Sequence, residues 1–405
     1  MNLPAESFDE LQKEWRNAYM QWYAGGMPSF NTLKLEPEKQ LTINFKSKAD
    51  RAHFGETLGY KLTDKTNVLW YPAKDRERNN MNRYIEQEPD AIYETRYPIY
   101  IISKGRWETR HTSRALERMG VDYFIAVEPQ EYEKYCEVIE PRKVLKLPFS
   151  NHGKGSGPAR NWCWEHSQAN GHKRHWLMDD NISEFWRTHK NKRYRVDKGS
   201  AIFRSAENYV DRFENVALAG FQYKFFVVDD ADYPPYILNT RIMSCFLIDN
   251  DCPEKWRGKF NEDVDLSIRV LKRGLNTMLF YSYLCGKLRT GTVKGGNTSE
   301  VYNNYEEDAS LRKSQMLKEM HPDVVTLVER YGRTHHHVDL EAIKNEQGQP
   351  ARQNVLKLKK DVDILNKVDN YGMVLARNYE EPDQYIDTDF SQPDFPTGRR
   401  AIHGY

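Results

Sequence analysis

Residues 97–127, YPIYIISKGRWETRHTSRALERMGVDYFIAV, decide the fold: Ile99 to Ile102 is an apolar run, Thr109 to Met119 is helical, and Tyr123 to Val127 is apolar again. Outward from this unit the same rhythm continues. Gln130 to Cys136 and Pro158 to Gln168 are helical stretches, and Val144 to Leu147 and Trp176 to Met178 are further apolar runs. Strand and helix in regular alternation predict an α/β domain with a mostly parallel sheet, right-handed crossovers and helices on its faces. Ligands of such sheets sit beyond the carboxyl ends of the strands, so the polar residues that follow each apolar run are the ones that matter.

Composition narrows the possibilities. The chain has 405 residues, enough for one large domain with attachments, and Lys+Arg 60 against Asp+Glu 59 leaves a formal net charge of +1. No global basic field argues for nucleic-acid binding, so any such contact is local. The five cysteines (Cys136, Cys163, Cys245, Cys252 and Cys285) form no CxxC pair, which points away from a disulfide framework or a zinc site and toward a reducing cytoplasm. No signal-peptide pattern and no apolar run of bilayer-spanning length is expected.

Three segments are expected along the chain. Residues 1–92 read as a small α+β accessory module and connector: a strand at Gln40 to Phe45, a helix at Lys48 to Leu58, a strand at Val68 to Tyr71, then a charged connector or exposed helix from Ala73 to Glu94. Residues 93–340 form the main α/β domain. Residues 341–405 form a C-terminal extension, expected to continue the helical character of Asp308 to Met320 and Pro322 to Tyr331 and to end in a charged tail from Glu380.

Three constellations in the main domain carry chemistry. His175-Trp-Leu-Met-Asp179-Asp180-Asn181 is an apolar strand ending in two carboxylates and a carboxamide. Hard oxygen ligands in such a cluster suit Mg²⁺ or Mn²⁺ held against a diphosphate, although a solvated turn has the same composition. His152-Gly-Lys-Gly-Ser-Gly157-Pro158-Ala-Arg160-Asn161 is a glycine-rich loop entering a helix. Its N–H groups and Arg160 suit phosphate, and Lys154 adds charge. Gly258-Lys-Phe-Asn261-Glu262-Asp263-Val-Asp265 opens an amphipathic helix with Val264, Ile268 and Leu271 on one face, and a carboxylate there can serve as general base. Acidic residues also favour a helix start through its dipole alone.

The order of these three motifs resembles that of the GT-A glycosyltransferases, Rossmann-like enzymes with a diphosphate loop, a DxD metal motif and a later acidic base. By that resemblance Asp179 and Asn181 take the outer DxD positions around Asp180. Asp263 takes the base position with Glu262 beside it, and Glu128 matches the acid that bonds the uracil. Ser103 and Arg106 lie where the base packs, with Gly157, Arg160 and Asn161 on the diphosphate. Lys294-Gly-Gly-Asn297 could close over the diphosphate or be a plain hairpin turn, and one of His335, His336 and His337 could complete the metal site, although surface histidines are the commoner outcome. Asn181 in the last ligand position departs from the pattern. Tyr97-Pro-Ile-Tyr-Ile-Ile-Ser-Lys-Gly-Arg-Trp, Tyr-Phe-Ile-Ala-Val-Glu128-Pro, Arg-Asn-Trp, Trp-Leu-Met-Asp179-Asp180-Asn181 and Phe-Asn-Glu262-Asp263-Val-Asp further resemble the phage TET-associated glycosyltransferase family over roughly residues 96 to 340.

That resemblance implies transfer of a sugar from a UDP-sugar to the hydroxymethyl group of 5-hydroxymethylcytosine in phage DNA. It implies Mn²⁺ or Mg²⁺, inversion at the anomeric carbon, and action in the cytoplasm of an infected bacterium. Lys190, Lys192, Arg193 and Arg195 are the basic candidates to face DNA, and a solvated basic loop reads equally from the same run. Asp229, Asp230 and Asp232 are a rival metal cluster, read as acceptor-side or structural. Alternatives are a polysaccharide or protein acceptor, a nucleotidyltransferase on the same sheet, or an inactive DNA-binding relative.

Overall fold

The computed structural model describes residues 42–58, 62, 66, 82–86, 94–288, 295–296, 309–330, 333–359 and 373–377. The chain divides into a small compact unit, 33–79, and a larger one that includes 80–405. In the small unit Ser47 caps helix α1 (Lys48–Thr57) by accepting from the Asp50 amide at 3.1 Å, and Phe45 packs on Phe54 at 5.3 Å. The helix expected from Lys48 is present. Thr42 to Phe45 form no strand, because alternation alone makes none without a ladder partner, and nothing pairs with them among the described residues. Gln40 and Leu41 of that expected strand, and the whole of the one expected at 68–71, lie outside the described residues.

In the larger unit β2 (Ile99–Ile102), β3 (Phe124–Val127), β4 (Val144–Lys146) and β5 (Arg174–Asp179) are parallel, in the spatial order β4-β3-β2-β5. Helices α2 (His111–Met119), α3 (Tyr132–Cys136) and α4 (Gly157–Ala169) connect them, as the alternation of apolar and helical runs requires. These strands are buried on both faces. Ile99, Ile101, Ile125, Trp176 and Met178 enter one core cluster, and Tyr100, Ala126 and Leu177 enter the other. Burial on two faces is why the runs are almost continuously apolar rather than alternating.

Beyond β5 the sheet becomes mixed. The further elements are β6 (Ile182–His189), β7 (Lys192–Val196), α5 (Ala201–Val210), β8 (Val216–Tyr223), β9 (Tyr236–Leu238), β10 (Cys245–Asp249), α6 (Glu262–Lys272) and β11 (Asn276–Lys287). Strand β10 lies antiparallel between β5 and β8, whereas β8 and β11 are parallel. A strand in the charged connector, β1 (Asn82–Glu86), pairs with β7 and with β14 (Met373–Arg377). The complete order is β14-β1-β7-β6-β11-β8-β10-β5-β2-β3-β4, with β9 on β11.

The C-terminal part departs from its sequence reading. Helix α7 (Ala309–Met320) is present, but the helix expected from Pro322 to Tyr331 is not found over the described residues 322–330: β12 (Val325–Arg330) pairs antiparallel with β13 (Arg333–Val338). Val324, Val325 and Val328 are stiff at χ1 and favour the extended chain that the ladder stabilises. The described residues of 341–377 contain no α-helix; they hold β14, a short 3₁₀ turn at Ala351–Gln353 and isolated bridges of Lys344 with Pro350 and of Leu358 with Phe213. All five cysteines are free and four are buried. No helix among the described residues is long and apolar enough to cross a membrane.

One buried acid locks the entry to β2. Glu207 on α5 accepts from the amides of Arg96 at 2.7 Å and Tyr97 at 3.4 Å, and from Trp176 Nε1 at 2.8 Å. Burial pushes its carboxyl up to about 7 in spite of these donors. The folded state therefore holds this proton more tightly than the unfolded chain does. The contribution is fully present below the ordinary value of 4.5 and is lost as pH rises through about 7. Between those limits the wild type is expected to lose on the order of 3 kcal/mol relative to Glu207→Gln. Denaturant titrations at a series of pH values measure this, and parallel profiles would refute it.

Candidate active site

Asp179 ends β5 at the carboxyl edge of the sheet, and the side chains around it come from distant parts of the chain. Asp179 Oδ1 accepts from Arg160 Nη2 on α4 at 2.6 Å, and Oδ2 accepts from Lys287 Nζ at the end of β11 at 2.9 Å and from Ser244 Oγ at 2.6 Å. Its amide donates to Ser244 O at 2.9 Å, and its carbonyl accepts from Thr112 Oγ1 at 2.6 Å. Burial alone would raise this carboxyl, but Lys287 and Arg160 outweigh it and hold the group well below the usual carboxylate range. The same contact keeps Lys287 firmly protonated although burial opposes the charge.

The glycine loop meets the acidic helix start across Arg160. Arg160 Nε donates to Ser156 Oγ at 3.0 Å and lies 3.5 Å from Glu262 Oε1, while Ser156 Oγ donates to the same Glu262 oxygen. The Arg160 guanidinium stacks over the Trp256 ring at 4.6 Å. Burial pushes the Glu262 carboxyl up against the pull of Arg160, and Asp263 adds to the rise. Helix α6 is held from beneath by Asp265, fully buried and bonded to Arg257, Arg269 and His321. Burial opposes the Asp265 charge, but these partners bring its carboxyl down to about 2.

The close approach of two loops explains one glycine. Gly155 has φ +75°, and a Cβ there would stand 2.4 Å from Lys259 O, a backbone atom that cannot swing away. Gly155→Ala is expected to cost about 2 kcal/mol and to part the glycine loop from α6. A thermal melt of the variant checks this, and an unchanged midpoint would contradict the contact.

These groups line one open cavity with Ser103, Lys104, Arg106, Glu128, Gly155, Ser156, Arg160, Asp179, Asp180, Asn181, Glu262, Lys287 and Gly296 among its walls. Asp180 is bonded by Arg106, and Ser103 Oγ donates to it at 2.8 Å. Glu128 pairs with Lys104 at 3.0 Å. Asp263 is half-buried in the first turn of α6. Its Oδ1 accepts from the Val264 amide at 2.9 Å, and it is not a wall of the cavity. It nevertheless acts electrostatically on Arg160, Lys287, Arg241 and Lys313, so it faces the same cationic ground.

Some expected residues fall elsewhere. Asn161 is spent on the Trp256 backbone, donating to its carbonyl at 2.9 Å and accepting from its amide at 3.0 Å. Gly157 begins α4 but does not line the cavity, and Lys294 lies outside the described residues. Arg193 pairs with Asp229 at 2.9 Å and Arg195 with Asp197 at 2.6 Å, so half of the expected basic run is neutralised and Asp229 is not a metal ligand in this arrangement. His335, His336 and His337 lie on β13. There burial, Arg241 and Lys313 hold the His336 imidazole down at about 4.

A divalent cation does not fit these donors as they stand. Both oxygens of Asp179 and both of Asp180 already face cations or hydroxyls, leaving Asn181 Oδ1 as a buried acceptor without a partner. No three His, Cys, Asp or Glu side chains converge among the described residues. Lys287 and Ser244, which bind Asp179 directly, were not singled out by sequence. Lys287 follows the apolar run of β11 and obeys the strand-end rule. Ser244 precedes a strand and carries no such mark.

Residues 97–296 match the family described as TET-Associated Glycosyltransferase. No curated protein matches the chain. A solved structure from Desulfovibrio desulfuricans G20, named provisionally as a nucleotide-diphospho-sugar transferase, is similar at 13% identity and a TM-score of 0.28, over 46% of this chain and 80% of that one.

Proposed function

Residues 97–296 are a TET-associated glycosyltransferase domain, and from that premise we propose that this enzyme moves a sugar from a UDP-sugar onto the 5-hydroxymethyl group of hydroxymethylcytosine in DNA. The observation that carries the reading is the meeting of Arg160, Asp179, Glu262 and Lys287 around one cavity at the carboxyl edge of the sheet. Cations beside a helix start suit a diphosphate, and carboxylates beside them suit sugar hydroxyls and a proton acceptor.

In this proposal the uridine lies along Ser103, Arg106 and Glu128, and the diphosphate lies against Ser156, Arg160 and Lys287. The hydroxymethyl oxygen attacks the anomeric carbon as the bond from that carbon to the β-phosphate oxygen breaks. Its proton passes to Asp263, UDP departs, and configuration inverts. Glu262 positions Arg160 and the glycine loop through Ser156. The setting is the cytoplasm of an infected bacterium, where phage DNA is made.

The test is mass spectrometry of nucleosides from hydroxymethylcytosine DNA incubated with the protein and a panel of UDP-sugars. One added sugar on hydroxymethylcytosine, and none on unmodified cytosine, is the expected result. Transfer only to a polysaccharide or protein acceptor would defeat the DNA reading.

A further inference from the structure

We propose that the leaving diphosphate is held and neutralised by the protein's own cations, Lys287 and Arg160, rather than by a divalent metal ion. The inference rests on the donor reading above and concerns how that site works.

The strand-end acids are already countered in a specific way. Each oxygen of Asp179 has a cationic donor, Arg160 on one side and Lys287 on the other. Asp180 is countered by Arg106. A metal ion at Asp179 would have to displace the buried Arg160 guanidinium, which would keep only the longer contact to Glu262 at 3.5 Å, or the part-buried Lys287 ammonium, and a cation left in the wall without its carboxylate is strongly unfavourable. The histidines expected to complete a metal site supply no help. His336 feels Arg241 and Lys313, positive groups that repel a second cation.

The same two cations have donors suited to phosphate. Arg160 is 4% exposed, its Nη1 is buried without any partner, and the side chain is a wall of the cavity. An unmet N–H on a side chain that walls a polar cavity is a donor whose bonding a ligand oxygen there would complete. Lys287 Nζ donates to Asp179 at 2.9 Å, to Ser244 at 2.6 Å and to Tyr223 OH at 3.3 Å. The last and longest is the one that a phosphate oxygen would take over. As the bond to the anomeric carbon breaks, negative charge grows on the β-phosphate, and two fixed donors in a largely buried wall stabilise it with no proton transferred. Asp179 is then a positioning residue. It aims both cations, and its own oxygens do not meet the donor.

The experiment is calorimetric titration of the full chain with UDP in EDTA and again in Mn²⁺. The expected dissociation constants agree within about threefold. An affinity at least about tenfold higher with Mn²⁺ overturns the proposal. Binding in neither condition overturns the donor reading beneath it, which keeps the two failures apart. Lys287→Met is expected to weaken UDP about tenfold and to leave UMP nearly unchanged, with Lys287→Arg restoring part of the loss. Equal UDP affinity in a folded Lys287→Met also overturns the proposal. Should that variant not fold, the wild-type comparison still decides.

Discussion

Transfer by Asp263→Asn falls about 10³-fold, while UDP binds within about threefold of wild type. The expectation follows from where Asp263 sits. It is outside the cavity proposed for the donor, yet close enough to Lys287 and Arg160 to act on both electrostatically, as the acceptor side of the proposed reaction requires. Asparagine keeps an oxygen to accept from the Val264 amide, so the start of α6 survives. Only the capacity to take a proton is removed. A single-turnover assay with pre-bound donor isolates the step, and a wild-type rate would reduce Asp263 to a residue of the helix start. Glu262→Gln is the control: Glu262 is tied to Ser156 and Arg160, and its loss should act on donor affinity as well as on rate.

Asp179→Ala lowers the melting temperature by about 10 °C and cuts transfer at least about 10²-fold, yet changes UDP affinity by less than about tenfold. The alanine takes from Lys287 its carboxylate and leaves the buried Arg160 only the longer contact to Glu262, and stripping a charge pair of this kind is among the costlier single changes available to a folded chain. Its effect on the diphosphate is divided. Losing an anion frees Arg160 and Lys287 for phosphate, and losing their anchor lets them wander. The two effects oppose each other in binding but not in catalysis, where geometry counts. A metal ligand would behave otherwise: affinity and its response to Mn²⁺ would disappear together. Differential scanning fluorimetry and titration on the same preparation distinguish the outcomes.

The parallel wing of the sheet was legible because its strands are buried on both faces and so are spelled as bare apolar runs. Asp179, Arg160 and Glu262 were legible as a group because each stands at a loop or helix start that the chain order repeats. What surrounds them was harder to see. Ser244 reaches Asp179 only through the antiparallel placement of β10, which no local pattern announces. Lys287 ends an unusually long strand, and the rule that points to strand ends applied there as well. The motif at Asp179 and Asn181 spells oxygen ligands, whereas Arg160 and Lys287, which bond Asp179 in the fold, come from distant parts of the chain. The helix expected at 322–331 failed because a short apolar stretch fits either period, and pairing with β13 decided it. The strand hidden in the charged connector was unreadable for a related reason: β1 exists by virtue of β7 and β14, one of them nearly three hundred residues away.

Strand β10 enters the sheet against the grain of its neighbour β5, so one strand closes and the other opens at the same spot. The polypeptide that departs at Asp179 is back beside it 65 positions later, at Ser244. An excursion pinned at both ends in this way can lengthen, shorten or be rewritten in its outer turns, such as the one at Lys190 and Asn191, without dismantling the anchor. Given the proposed donor site, the outer turns of this excursion can be rewritten to meet a different acceptor while the anchor at Asp179 stays as it is.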